Sequence, residues 1–111
     1  MTDCIFCKII QREIPASIVY EDEEVIAFDD IHPAADVHIL VVPKKHIETV
    51  MDMTTEDEQL LGHVVRVSKE IAQQKGLKGY KLAYNVGKEG GQAIMHIHQH
   101  LLGGTIQTWN F

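Results

Sequence analysis

The sequence predicts an α+β fold, a five-stranded antiparallel sheet with one long and one short helix packed on it. Three observations point there. Short β-branched and aromatic runs follow one another closely, and strands that neighbour in sequence usually pair as antiparallel neighbours. Behind a capping pattern at Thr55-Glu56-Asp57-Glu58, one long segment carries apolar residues at helical spacing. The chain has 111 residues, 45% hydrophobic and 23% charged, which suits one globular domain spanning residues 1–111 and argues against disorder.

Taken in order, Cys4–Gln11 is apolar on one side through Ile5, Phe6, Ile9 and Ile10, and predicts a short helix ending before Pro15. Ser17–Tyr20 and Val25–Phe28 flank the acidic patch Glu21-Asp22-Glu23-Glu24 and read as a hairpin. Ala34–Asp36 reads as a loop, and His38–Val42 as a continuously apolar strand stopped by Pro43. The long helix presents Leu60, Leu61, Val64, Val65, Ser68, Ile71 and Ala72 on one face and stops at Lys75-Gly76. Tyr80–Val86 alternates like a strand. Gly87–Gly91 is a glycine-rich turn, and Ile94–Leu102 is a last strand ended by Gly103-Gly104.

Charge and length exclude several classes. The formal net charge is −6, with no Lys/Arg block, so the footprint of a nucleic-acid or anionic-membrane binder is missing. No stretch approaches the ~20 apolar residues of a membrane helix. Met1-Thr2-Asp3-Cys4 lacks the basic and apolar regions of a signal peptide, so a cytoplasmic protein with reduced thiols is expected. In that setting Cys4-Ile5-Phe6-Cys7 suggests a metal site or a redox pair.

The sharpest feature is His96-Ile97-His98-Gln99-His100-Leu101-Leu102. In a strand, the three imidazoles would share one face with about 6.6 Å between successive roots. Each ring has two nitrogens to satisfy, which makes such a row poor core material. An exposed polar face or a three-histidine metal site are the plainer readings. Chemistry is the third, because imidazole is largely neutral near pH 7 and can attack as a nucleophile or move protons. A histidine that accepts a phosphoryl-type group can release it to water, dividing one hard displacement into two easier ones. The Gly87-Lys88-Glu89-Gly90-Gly91-Gln92 turn leads into this segment, and its backbone N–H groups could cradle an anion.

His-X-His-X-His-Leu-Leu, Pro43-Lys44-Lys45-His46-Ile47, Phe28-Asp29-Asp30-Ile31 and Gly90-Gly91-Gln92 together resemble the histidine triad (HIT) family, most of all its Hint branch of purine nucleoside phosphoramidases. The resemblance runs from about Cys4 to Trp109. It implies a homodimer whose sheets join across the interface, and a purine nucleotide substrate. The implied reaction is hydrolysis of purine nucleoside 5′-phosphoramidates, or of mixed anhydrides such as aminoacyl-adenylates, to the nucleoside monophosphate. His98 would be the nucleophile on the α-phosphorus, and His100 would contact the phosphate or leaving group and help move a proton. Asn85, Gly91 and the Ala93 backbone match the phosphate cradle. Asp30 matches the carboxylate that receives the ribose hydroxyls, and Phe6, Ile9, Phe28 and Ile31 match the slot for the base. Better-known animal members carry a serine where this chain has Ala93, so one hydroxyl contact is missing. Gln99 fills a site that is usually apolar in the family.

Two cysteines cannot close a tetrahedral zinc site alone. The resemblance implies a structural zinc on Cys4, Cys7, His46 and His96. The other reading keeps the cysteines as buried apolar thiols and pairs His46 with His96. His32, His38 and His63 match no motif and read as solvated or locally bonded. Lys44 and Lys45 read as a solvated strand end, and Trp109 and Phe111 as an aromatic tail that, in a Hint-like dimer, would reach the partner's site. A nucleotide sensor with incidental turnover, a dinucleoside polyphosphate hydrolase of the same family, and a purely metal-binding or redox protein are the rival functions.

Overall fold

A computed structural model of the chain describes residues 4–106. Its elements are α1 (Ile5–Ile10), β1 (Ile18–Glu21), β2 (Val25–Asp29), β3 (Ala35–Pro43), α2 (Glu58–Gln74), β4 (Tyr80–Ala83) and β5 (Gln99–Ile106). The strands form one antiparallel sheet in the order β1-β2-β3-β5-β4. The predicted sheet, long helix and short helix are all present. Trp109 and Phe111 lie outside the described residues.

Both faces of the central strands are covered, which explains why β2 and β3 read as unbroken apolar runs. On one face Val25, Ala27, Ile39, Val41 and Leu101 pack against Val64, Val67, Ile71 and Ala72 of α2. On the other, Ile26, Phe28, Leu40 and Val42 pack against Phe6 and Ile9 of α1. Alternate residues of one strand thus serve two layers. Each fully buried Val, Leu, Ile or Phe contributes roughly 1.5–3 kcal/mol of transfer free energy, so this sandwich is the main stabilising feature. His100 pairs with Leu40 in the β3–β5 register and stands on the α1 side, where the functional residues collect.

Several boundaries differ from expectation. β3 begins at Ala35, three residues before His38. Asp36 earns its strand position by accepting the Thr105 N–H at 2.8 Å. β5 starts at Gln99, so His96 and His98 precede the ladder. There Ile97 N–H bonds the Ile47 carbonyl at 2.7 Å instead of a neighbouring strand. Gly103-Gly104 does not end β5, which continues to Ile106. A Cβ at Gly103 would fall 2.5 Å from Leu77 Cδ1, so this glycine makes room for a neighbour.

β4 stops at Ala83 rather than Val86. Ahead of α2, Thr54 and Asp57 form the reciprocal capping box, one residue earlier than predicted, over a 3-10 turn at Thr55–Asp57. The buried face of α2 includes Val67, while Val65 is exposed. Gln99 is buried and bonds Ser68 Oγ on α2, which in turn donates to the Val64 carbonyl at 2.8 Å. The polar side chain is therefore satisfied within the α2 layer.

Candidate functional site

Between α1, the β2–β3 turn and the loop before β5 lies a cavity of about 680 Å³. Phe6, Ile9, Phe28, Asp30, Ile31, Asn85, Gly91, Ala93, His98 and His100 all line it. The structure thus brings together, in one space, the residues singled out for catalysis and for base, ribose and phosphate binding. Its apolar end is built by α1 and β2, where the Phe6 and Phe28 rings meet edge to face at 5.4 Å. Ile31 stands 85% exposed at the rim. Asp30 Oδ1 accepts the His32 N–H at 2.8 Å, a turn bond that fixes the carboxylate at the cavity edge.

At the polar end, Gly91 adopts φ +87°, a region that favours glycine. Asn85 Nδ2 donates to the Gly90 carbonyl at 2.9 Å and holds this turn. Gln92 pins it further. Its Oε1 accepts the Gly87 N–H at 2.8 Å, and its Nε2 donates to the carbonyls of Glu48 at 2.7 Å and Ile94 at 2.9 Å. The motif reading placed Gln92 in the turn but missed this bracing role, which only the distant Glu48 carbonyl reveals.

Backbone groups fix the tautomers of the histidines. His98 Nδ1 lies 2.7 Å from the His96 carbonyl, which can only accept, so Nδ1 carries the proton and Nε2 keeps its lone pair. The Ala34 N–H donates to His38 Nδ1 at 2.9 Å, so His38 is protonated on Nε2. That Nε2 donates to His100 Nδ1 at 2.9 Å and lies 3.4 Å from Asp30 Oδ2. His100 is consequently an Nε2–H donor. Burial depresses the pKa of all three; for His100, burial with His98 and His38 nearby brings it down to about 4. All three rings are therefore neutral near pH 7. The order Ala34, His38, His100 is a directed chain of hydrogen bonds. His38, expected to be solvated or locally bonded, is a buried member of the site. Its only sequence signal was a histidine inside an otherwise apolar strand.

Next to the cavity, Cys4, Cys7, His46 and His96 bring their ligand atoms within 4.8 Å of one another. Cys4 Sγ is 3.3 Å from His96 Nδ1, Cys7 Sγ is 3.3 Å from His46 Nδ1, and the two Nδ1 atoms are 3.1 Å apart. Around one tetrahedral cation with metal–nitrogen bonds near 2.0 Å and metal–sulfur bonds near 2.3 Å, such donors would stand about 3.3–3.8 Å apart, the two nitrogens closest. The spacing fits. His96 Nε2 donates to the Pro43 carbonyl at 2.8 Å, which turns the Nδ1 lone pair toward the sulfurs, as an outer partner does for a metal-bound histidine. Burial lowers the His96 pKa to about 4 and raises that of Cys7 to about 11, the latter aided by its bond with Cys4. A Cys7 thiol held protonated and a His96 imidazole held neutral suit a site that exchanges a thiol proton for a cation.

Of the other histidines, His63 bonds Asp22 Oδ2 at 2.7 Å and ties α2 to the β1–β2 hairpin, while His32 is exposed. Lys44 pairs with Glu21 at 2.8 Å and Lys45 with Asp57 at 2.6 Å, so neither is simply solvated.

A family model described as the scavenger mRNA decapping enzyme C-terminal binding domain matches residues 3–109. The chain is 52% identical to an uncharacterised HIT-like protein of Synechococcus elongatus, over 96% of this chain and 95% of that one. It is 51% identical to the purine nucleoside phosphoramidase of Escherichia coli, over 92% of this chain and 87% of that one. The fold superposes on a HIT family hydrolase of Legionella pneumophila with a TM-score of 0.92 at 50% identity, covering 96% of this chain and 97% of the other. With the histidine motif, the cavity and the sheet order in agreement, the chain belongs to the histidine triad family.

Proposed function

We propose that this protein hydrolyses purine nucleoside 5′-phosphoramidates, or aminoacyl-adenylates, at the α-phosphorus through a nucleotide held covalently on His98. The observation that carries the reading is the His98 tautomer. Its Nδ1–H is committed to the His96 carbonyl, which leaves Nε2 as an unprotonated nucleophile on the cavity wall. The 51% identity to a purine nucleoside phosphoramidase supports the substrate class.

In the first step His98 Nε2 attacks phosphorus and the P–N bond breaks. His100 Nε2–H hydrogen-bonds the leaving nitrogen, which takes its proton from solvent water, because a neutral imidazole that gave up this proton would be left as an imidazolate. In the second, water attacks phosphorus and loses its proton to solvent, the P–Nε2 bond breaks to return the lone pair to His98, and the nucleoside monophosphate departs. Asp30 accepts the ribose hydroxyls, the Gly91–Ala93 backbone and Asn85 hold the phosphate, and Phe6, Ile9, Phe28 and Ile31 flank the base. Ala93 offers a methyl group where a hydroxyl would help the leaving group, so departure of the amine rests on His100. Removing the nucleophile should lower phosphoramidate turnover by about 10⁴-fold or more, as deletion of a covalent nucleophile does elsewhere. Equal amine release by wild type and His98→Ala would overturn this assignment.

A structural zinc on Cys4, Cys7, His46 and His96 belongs to the same proposal, supported by the donor spacing and the His96–Pro43 bond. When bound, zinc would have four protein ligands, no open position for water, and a crosslinking role. Elemental analysis of protein purified without chelator should find about one zinc per chain, and finding none removes it. A homodimer joined through its sheets completes the reading. β4 is an edge strand with half-exposed Tyr80 and Leu82, a surface suited to pairing with a second copy. A reducing, cytoplasmic setting suits the free thiols.

A further inference from the structure

Helix α1 belongs to both sites at once. It has six residues, far below the length at which a helix stands alone in water. Its first turn is capped by Cys4, whose Sγ accepts the Cys7 N–H at 3.3 Å. Cys4 and Cys7 reach His96 and His46, and between them in sequence the helix points Phe6 the other way, into the nucleotide cavity. The Phe6 ring packs edge-on against His98 at 5.0 Å and against His96 at 5.8 Å. His96 and His98 repeat the pattern two residues apart, one facing the sulfurs and the other the cavity. Two structural pieces, the α1 turn and the 96–98 segment, are thus shared walls.

We propose that metal occupancy of the Cys4, Cys7, His46 and His96 cluster sets the affinity of the adjacent cavity for nucleotide, with Phe6 and the first turn of α1 carrying the coupling. This rests on both the zinc and the nucleotide readings given above. With a cation in place, α1 would be clamped at two points, through His46 to the loop after β3 and through His96 to the segment before β5, so Phe6 and Ile9 are held as a finished slot. Without it, hydrogen bonds from two half-buried thiols hold the turn, and binding a base must also order the helix. A ligand that orders what another ligand also needs ordered binds cooperatively with it. By linkage the effect is reciprocal, so nucleotide must tighten the cation by the same factor.

The test uses the full-length wild-type protein, loaded with Zn²⁺ or stripped with a chelator, with AMP as the probe nucleotide. Calorimetry gives the AMP affinity with and without Zn²⁺, and competition against a chromophoric chelator gives the Zn²⁺ affinity with and without AMP. The expected result is AMP binding at least about 10-fold tighter to the loaded protein, a coupling within the range two linked sites show, and an equal gain for Zn²⁺ in the presence of AMP. Phe6→Leu should still bind Zn²⁺ but show a smaller factor.

Equal AMP affinity in both states, with Zn²⁺ measurably bound, overturns the proposal and leaves both underlying readings standing. Absence of Zn²⁺ binding overturns it through the metal reading. Absence of AMP binding to the loaded protein overturns it through the nucleotide reading. Loss of the α2 circular-dichroism signal on stripping also overturns it, because the coupling would then be global unfolding rather than a local effect of α1.

Discussion

At His98 and His96, two residues apart, a single carbonyl decides what each ring can do. The His96 carbonyl holds His98 Nδ1–H and leaves Nε2 for chemistry, while the Pro43 carbonyl holds His96 Nε2–H and leaves Nδ1 for a cation. A backbone acceptor is a dependable way to fix a tautomer, because it cannot itself donate. His38 extends the same logic, since the Ala34 N–H obliges it to donate to His100. His38→Ala should lower phosphoramidate turnover by about 10–100-fold, toward the low end for a lost acid–base group. It should also change the pH profile, because His100 would lose its orienting donor; an unchanged profile and rate would remove His38 from the site. The pKa of His100, brought down to about 4 by burial and its histidine neighbours, has a consequence for stability. Between about pH 6.5 and pH 4 the unfolded chain binds a proton that the folded site refuses. Stability should therefore fall as pH drops through that window, by up to about 1.4 kcal/mol per pH unit for one such group. Urea melts at pH 7 and pH 5 check this, and equal midpoints would contradict it. The His-X-His-X-His motif made His98 and His100 legible from sequence. His38 was not, because its value lies in a contact with a residue 62 positions away.

Among the elements, the loop before β5 decides where the histidines end up. Alternation alone predicts a strand from Ile94, yet Ile97 bonds Ile47 and Gln92 bonds Glu48, so this segment is held by the loop after β3. Alternation describes a side-chain period and is blind to which backbone the segment pairs with, so the strand's existence was legible and its start was not. The same blindness explains α2. Val64, Val67, Ser68, Ile71 and Ala72 follow the i, i+3, i+4, i+7 stripe, while apolar Val65 falls beside it and stays 45% exposed. Gln92→Ala should cost about 1–3 kcal/mol, since it leaves the buried Gly87 N–H without its acceptor. A thermal melt reads this directly. Turnover should fall with it because the phosphate turn loses its brace, and a variant as stable and active as wild type would contradict the assignment.

For the molecule as a whole, one sheet carries two layers with different duties. The α2 face is apolar packing around one satisfied polar pair, Gln99 and Ser68, whereas the α1 face trades part of its core for a cavity and a cluster of sulfur and nitrogen donors. That division was legible as a fold class from β2, β3 and α2, and as a site from the motifs. The convergence of Asp30, Asn85 and Phe6 on one space needed the folded chain. Sedimentation equilibrium should give twice the chain mass, and Leu82→Lys on the β4 edge should shift the protein toward monomer; a wild-type monomer would contradict the joined-sheet assembly. The most direct test of the account is a trapped intermediate. Quenching the protein during turnover of adenosine 5′-phosphoramidate, then mapping its peptides by mass spectrometry, should find AMP attached to His98. Rapid turnover with AMP on another residue, or on none, would contradict it.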